Sequence, residues 1–202
     1  LLGGRPLIAY TVEAARGSAA LTRVVVSTDD REIATAAGAL GADVPFLRPQ
    51  HLAGDDTPML DVLLDLVDSL ERIEAYRPDI LVLLQPTSPF RRVEQIDAAV
   101  DLLTRSGADS VVTVVPVPHQ FVPGSLMQLR DGRLSPYLEE PAPMRRQDKP
   151  PLFARNGPAI VAVRTSVVTE QRTLYGPDTR GVVMAREESL DIDDLFDLEL
   201  AE

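Results

Sequence analysis

The chain has 202 residues, of which 31 are acidic and 20 basic, and its formal charge of −11 argues against a nucleic-acid polyanion as its partner. There is no cysteine, so disulfide frameworks, thiolate metal centres and cysteine nucleophiles are excluded together, and two histidines leave little for a histidine metal site. With 45% hydrophobic residues the length fits one globular domain, and apolar runs such as Ile80 to Leu84 fall far short of the roughly 20 residues a membrane span needs. Lys149 is the single lysine, so a phosphate gripped by this chain must be held by arginine, backbone amides or a metal. The sequence begins Leu1-Leu2-Gly3-Gly4, which reads as a trimmed or fragmentary N-terminus, and the absence of cysteine and of a signal peptide fits the cytoplasm.

In chain order, segments of two periods alternate. Pro6 stands where a helix starts, and Leu7, Ile8, Val12 and Ala15 then share one face of a helix ending near Gly17. Arg23 to Thr28 is β-branched and continuous, which predicts a strand buried on both faces. Asp30 is placed to cap a helix from Arg31 to about Leu40, and Val44 to Leu47 reads as a short strand. Thr57 reads as a cap and Pro58 as the first residue of a helix in which Met59, Leu63, Val67, Leu70 and Ile73 recur at helical spacing. Asp79 to Leu84 reads as a strand, Val93 to Arg105 as a helix and Ser110 to Val115 as a strand. The alternation predicts an α/β fold with three layers and a mostly parallel sheet, Rossmann-like in its arrangement.

From Pro116 to Pro158 the rhythm breaks into a proline-rich excursion, a length of irregular chain that is uncommon unless it serves as a lid, binding loop or partner arm. The pattern resumes at Ala159 to Val163 and Gly181 to Met184, and closes with a helix from about Asp194 to Ala201.

Chemistry concentrates where strands end, because loops and helix N-termini converge at the carboxyl edge of an open α/β sheet. Ser27-Thr28-Asp29-Asp30 is one such end, readable equally as a helix cap. Leu84-Gln85-Pro86-Thr87-Ser88-Pro89-Phe90-Arg91 is another, a stiff polar loop suited to ordering a hydroxyl-rich ligand or simply a rigid turn. If Ser189 to Asp194 is extended, Asp191 and Asp193 point to one side and make half a site for a hard divalent cation; the plainer reading is a helix cap with a solvated neighbour. Met144 to Lys149 is the densest basic patch, able to bind an anion or to balance Glu139 and Glu140. Arg48-Pro49 through Asp55-Asp56-Thr57-Pro58 and Arg155-Asn156-Gly157-Pro158 complete the set, each readable as a capped loop or turn.

Taken in order, Ser27 to Asp30, Arg48-Pro49 with Leu52-Ala53 and Asp56-Thr57-Pro58, Leu84 to Pro89, Arg155-Asn156-Gly157, and Asp191-Ile192-Asp193 followed by Phe196-Asp197-Leu198 resemble the acylneuraminate cytidylyltransferases and their relatives that activate legionaminic, pseudaminic and 3-deoxy-octulosonic acids. The resemblance implies the nucleotide-diphospho-sugar transferase fold and transfer of CMP from CTP to the anomeric hydroxyl of a sialic-acid-like (nonulosonic) 2-keto sugar acid, with release of pyrophosphate. It implies Mg²⁺ held by Asp191 and Asp193, with Arg146 as a further catalytic residue. Nucleotide contacts would come from Arg48, Asp56, Thr57 and Pro58, and sugar-acid contacts from Gln85, Thr87, Ser88, Arg146 and Asn156. It also implies a homodimer in which an inserted arm of about residues 118–152 reaches over the partner's site. The sequence departs from the family's pattern in three places: a glycine- and lysine-containing loop that grips the triphosphate is not in this sequence, Asn156-Gly157-Pro158-Ala159-Ile160-Val161 replaces Asn-Gly-Ala-Ile-Tyr, and Pro123 or a neighbour replaces a lysine often found after the His-Pro region. The competing expectation is a catalytically silent nucleotide- or sugar-binding module, or a dimerising remnant of the same fold.

Overall fold

The structure is a computed structural model that describes residues 1–138, 145, 149–157 and 159–202. Proline has no amide hydrogen to leave unsatisfied, and helix α1 (Leu7–Gly17) starts directly after Pro6. Helix α2 (Arg31–Ala39) is capped as its sequence predicts: Asp30 Oδ1 accepts from the amides of Glu32 at 2.6 Å and Ile33 at 3.0 Å. Helix α3 (Met59–Glu74) begins after Pro58 without a side-chain cap, so Thr57 does not have the capping role its position predicts. Strand β1 (Ile80–Leu83), helix α4 (Val93–Ser106) and strand β2 (Ser110–Pro116) follow within a residue or two of their predicted bounds.

Three layers form, as expected. Strand side chains alternate between faces, and in the antiparallel pair of β1 with β6 (Val161–Arg164) Val82 lies opposite Ala162 while Leu81 lies opposite Val163. Ala162 is buried with Ile96, Ala99 and Leu103 of α4, with Val82 packed against them. Leu81 and Val163 are buried with Leu63 and Val67 of α3 and with Val167 and Val168 of helix α5 (Thr165–Thr169).

The sheet itself corrects the expectation of parallel strands. β6 pairs antiparallel with both β1 and β2, strand β5 (Phe153–Arg155) pairs antiparallel with β2, and only strand β7 (Thr179–Val183) runs parallel to β2. Since β1 and β2 both oppose β6, they run the same way, so the α4 crossover does join parallel strands. It leaves a vacant position between them, which β6 fills in the reverse direction after the excursion has turned the chain round.

Two further expectations change. Arg23 to Thr28 is extended but makes no ladder: a parallel bridge joins Val25 to Asp43, through Val26 N to Asp43 O at 2.9 Å and Asp43 N to Val24 O at 2.8 Å. Its valines are half-buried, Val24 and Val26 packing against Val12, Ala37 and Ala42, and Val44 to Leu47 forms no strand. A β-branched run reports apolar surroundings; a ladder needs backbone partners as well. The excursion, read as irregular, holds a hairpin, β3 (Met127–Arg130) paired with β4 (Arg133–Pro136). Its two-residue turn, Asp131-Gly132, has positive φ at both positions, 49° and 76°, the geometry for which Asp-Gly is favoured. Helix α6 (Leu195–Ala201) closes the chain.

Candidate active site

The site is built where β1 and β7 end, opposite an interruption in the strand facing β2. Between the pairs Val112↔Val161 and Val114↔Arg155, β2 contributes only Thr113, while Asn156, Gly157, Ala159 and Ile160 are the described residues on the partner side. Such a bulge turns backbone and side chains out of the ladder. Thr113 secures it: its amide donates to Ile160 O at 3.0 Å, and its Oγ1 accepts from Ile160 N at 3.1 Å. Because Val161 lies opposite Leu83, Asn156 and Gly157 come just beyond the carboxyl end of β1, from which Gln85 to Arg91 also emerge. β7 ends beside Val114 and leads through Met184 to Asp191, so three chain segments converge there.

Their contacts are specific. Ser88 Oγ donates to Asp191 Oδ1 at 3.2 Å, and the Ile192 amide donates to Thr87 O at 2.8 Å, fastening the 85–91 loop to the 191–192 segment. Ser88 is only 1% exposed, so its hydroxyl is directed at Asp191. Gly157 has φ +56°, and a Cβ there would stand 2.5 Å from Asp191 Oδ2. Asn156 is buried; its Nδ2 donates to Met184 Sδ at 3.3 Å, and its Oδ1 lacks a hydrogen-bond partner among the described residues.

Arg91, to which its position in the sequence assigned no role, lies beneath the loop and is buried. Its Nη1 donates to Thr11 Oγ1 of α1 at 2.6 Å and its Nη2 to the Gln85 carbonyl. Burial pushes its guanidinium down to about 10, opposed by the negative charge of Asp191. It therefore remains a cation at neutral pH. The signal that marks it is an arginine directly following a proline-stiffened loop that leaves a buried strand.

Asp191 is half-buried; Asp193 is exposed, and its carboxylate takes no hydrogen bond from the described residues. The Asp193 amide donates to Asp197 Oδ2 at 3.0 Å, while Asp194 caps α6 by accepting from Asp197 N at 3.0 Å. The cap is thus supplied by Asp194, which leaves both Asp191 and Asp193 with carboxylates available to a ligand. Among the described residues no group of three or more histidine, aspartate and glutamate side chains gathers as a metal site. Two carboxylates completed by water and phosphate oxygens are nonetheless a donor set that suits Mg²⁺, which retains several waters and binds through one or two carboxylates.

A second group lies at the end of the valine segment. The Arg48 amide donates to Thr28 O at 2.8 Å, Arg48 Nη2 lies 3.9 Å from Asp29 Oδ1, and the buried Arg48 Nε has no partner among the described residues. Asp56 and Pro58 are exposed and Thr57 half-buried at the N-terminus of α3, with Thr57 N bonded to Gly54 O at 3.0 Å. Arg146 lies outside the described residues.

This fold is that of an α/β nucleotidyltransferase. It superimposes on CMP:2-keto-3-deoxy-manno-octonic acid synthetase complexed with CTP with a TM-score of 0.62 at 18% identity, over 91% of this chain and 82% of that one. It also superimposes on a 4-diphosphocytidyl-2C-methyl-D-erythritol synthase from Anaerococcus prevotii with a TM-score of 0.63 at 12% identity, over 100% of this chain and 86% of that one. The cytidylyltransferase family model matches residues 1–166, and the chain belongs to that family of enzymes. It is 33% identical over its whole length to the CMP-N,N'-diacetyllegionaminic acid synthase of Legionella pneumophila, covering 86% of that protein. It is 30% identical over its whole length to the N-acylneuraminate cytidylyltransferase of Escherichia coli O18:K1:H7, of which it spans 46%.

Proposed function

We propose that the protein transfers CMP from CTP to the anomeric hydroxyl of a nonulosonic, sialic-acid-like 2-keto sugar acid. The hydroxyl oxygen bonds to the α-phosphorus, the bond from that phosphorus to the bridging oxygen breaks, pyrophosphate leaves and the hydroxyl proton is lost. The observation that carries this reading is the Asp191 carboxylate, held by Ser88 against the α-carbon of Gly157, where the loop after β1 meets the bulge before β6. Asp191 and Asp193 would hold Mg²⁺, which on binding neutralises triphosphate charge and assists the leaving group.

In this reading Gln85, Thr87 and Asn156 order the sugar acid. Ser88 acts one step back, on the orientation of Asp191. Arg48 and the Asp56-Thr57-Pro58 turn face the cytidine, and Arg146 serves the triphosphate and sugar acid. The reading also covers a homodimer through the 118–152 arm. It is supported by the β3–β4 hairpin, in which Met127, Leu129, Leu134 and Pro136 share one face; Leu129 and Leu134 are 69% and 65% exposed. The reading places the reaction in the cytoplasm; separately, no helix among the described residues is long and apolar enough to cross a membrane.

The test is pyrophosphate release from CTP and Mg²⁺ with sialic, legionaminic, pseudaminic and 3-deoxy-octulosonic acids in turn. Release with at least one nonulosonic acid is expected. Binding of CTP without turnover on any acid would overturn the proposal in favour of a silent binding module.

A further inference from the structure

The turn that follows β1 has an unusual anchor. Pro86 and Thr87 occupy its centre, and the Ser88 amide returns to the Gln85 carbonyl at 3.4 Å, so this carbonyl is the hinge on which the loop's direction depends. The same carbonyl accepts from Arg91 Nη2, while Arg91 Nη1 bonds Thr11 Oγ1 on α1 at 2.6 Å. Arg91 is 4% exposed and Thr11 7%, so neither side chain is placed to meet a ligand directly. A planar fork with two donors aimed at two fixed acceptors defines orientation in a way that one flexible ammonium does not.

We propose that Arg91 is a positioning residue for the sugar acid, bridging α1 to the Gln85 carbonyl and so setting where the Gln85 side chain and the Thr87-Ser88 pair stand. This rests on the proposed reaction and adds a residue to it. Gln85 is half-buried at the mouth of the loop, and rotation of its peptide would redirect its side chain. Through Ser88 Oγ and Thr87 O the loop also touches Asp191 and Ile192, so the substrate constants are to be compared at saturating Mg²⁺. Arg48 and the Asp56-Thr57-Pro58 turn share none of the bonds that Arg91 makes, so the nucleotide side should be insensitive to it.

Steady-state kinetics of the full-length protein, with each substrate varied in turn, test the proposal on Arg91→Lys and on Thr11→Val. Arg91→Lys keeps the charge but loses the fork, and should raise KM for the sugar acid about tenfold, the factor expected when one charge-assisted bond is lost, with KM for CTP within about twofold. Thr11→Val frees one end of the fork and should act in the same direction by about threefold; the double variant should resemble Arg91→Lys, because both changes break one bridge. If the two KM values rise together, or only the melting temperature falls, Arg91 is structural and the proposal is overturned. Should Arg91→Lys fail to fold, Thr11→Val alone decides by the same criterion. A wild type that turns over no acid overturns the reaction and this role together, whereas an active wild type with unchanged sugar-acid KM in both variants overturns the role of Arg91 alone.

Discussion

Asp191 Oδ2 lies 2.5 Å from the point where a Cβ on Gly157 would stand, so the carboxylate occupies space that only glycine leaves open. Gly157 also has φ +56°, where an L side chain costs roughly 1–2 kcal/mol on its own. Gly157→Ala should therefore displace Asp191 as well as strain the bulge. We expect kcat to fall by at least about tenfold and the Mg²⁺ concentration for half-maximal rate to rise, beyond what a stability loss of about 1–2 kcal/mol explains. A Mg²⁺ titration of the initial rate, beside a thermal melt, checks this.

The two carboxylates should behave differently when neutralised. Asp193 is exposed and its side chain bonds nothing among the described residues, so Asp193→Asn should leave the melting temperature unchanged. Its kcat should nevertheless drop about 100-fold or more, because a metal ligand acts on charge that develops in the transition state. Asp191→Asn should cost activity similarly and also disturb the Ser88 contact. Unchanged pyrophosphate release by Asp193→Asn at limiting Mg²⁺ would show that the metal lies elsewhere.

Asp97 gives the fold an acid-sensitive tie. It lies on α4 and accepts from the Ser18 hydroxyl beyond the end of α1 and from the Ala20 amide at 3.2 Å. The Ser18 hydrogen bond, against desolvation and aided by the amides of Ala20 and Ala19, holds its pKa below the ordinary 3.8. A depressed carboxylate contributes stability that is fully present above 3.8 and is lost as pH falls through the lower folded value. Asp97→Asn should thus lower the melting temperature at pH 7, with the gap to wild type narrowing once the pH drops below about 4. A gap independent of pH would show that the contact acts without its charge.

The hairpin face carries the prediction for assembly. Leu129 and Leu134 are direct cross-strand partners, both largely exposed. Replacing both with aspartate places like charges opposite one another on that face. Sedimentation should then show a monomer where the wild type is a dimer, while the melting of the main domain hardly changes. A wild type that sediments as a monomer at micromolar concentration would remove the arm's proposed role.

The helices were legible because each carries its own evidence: the spacing of Leu63, Val67 and Leu70 in α3, or the Asp30 carboxylate before α2, acts over one or two turns. The hairpin was legible in principle, through Asp131-Gly132, but short strands beside many prolines carry a weak period. The valine run shows the opposite failure, since its apolar character signalled burial while its ladder depended on a backbone partner elsewhere in the chain. Arg91 was legible as the end of the proline-stiffened loop, but its burial was not, because nothing local tells whether an arginine after a turn is solvated or buried under it.

By itself, the sequence determined the alternation of helices and strands, the Asp30 cap and the family, because periodicity, capping and ordered motifs are properties of short stretches read along the chain. Only the tertiary structure decided that β6 runs backwards between β1 and β2, and that its entry must bulge out opposite Thr113. That bulge carries Gly157 to Asp191, a pair separated by 34 positions and brought together by strand register alone. Register depends on which strands are neighbours, and neighbours are chosen by burial of the whole sheet between α4 and α3, so the site could be listed residue by residue before folding but assembled only by it.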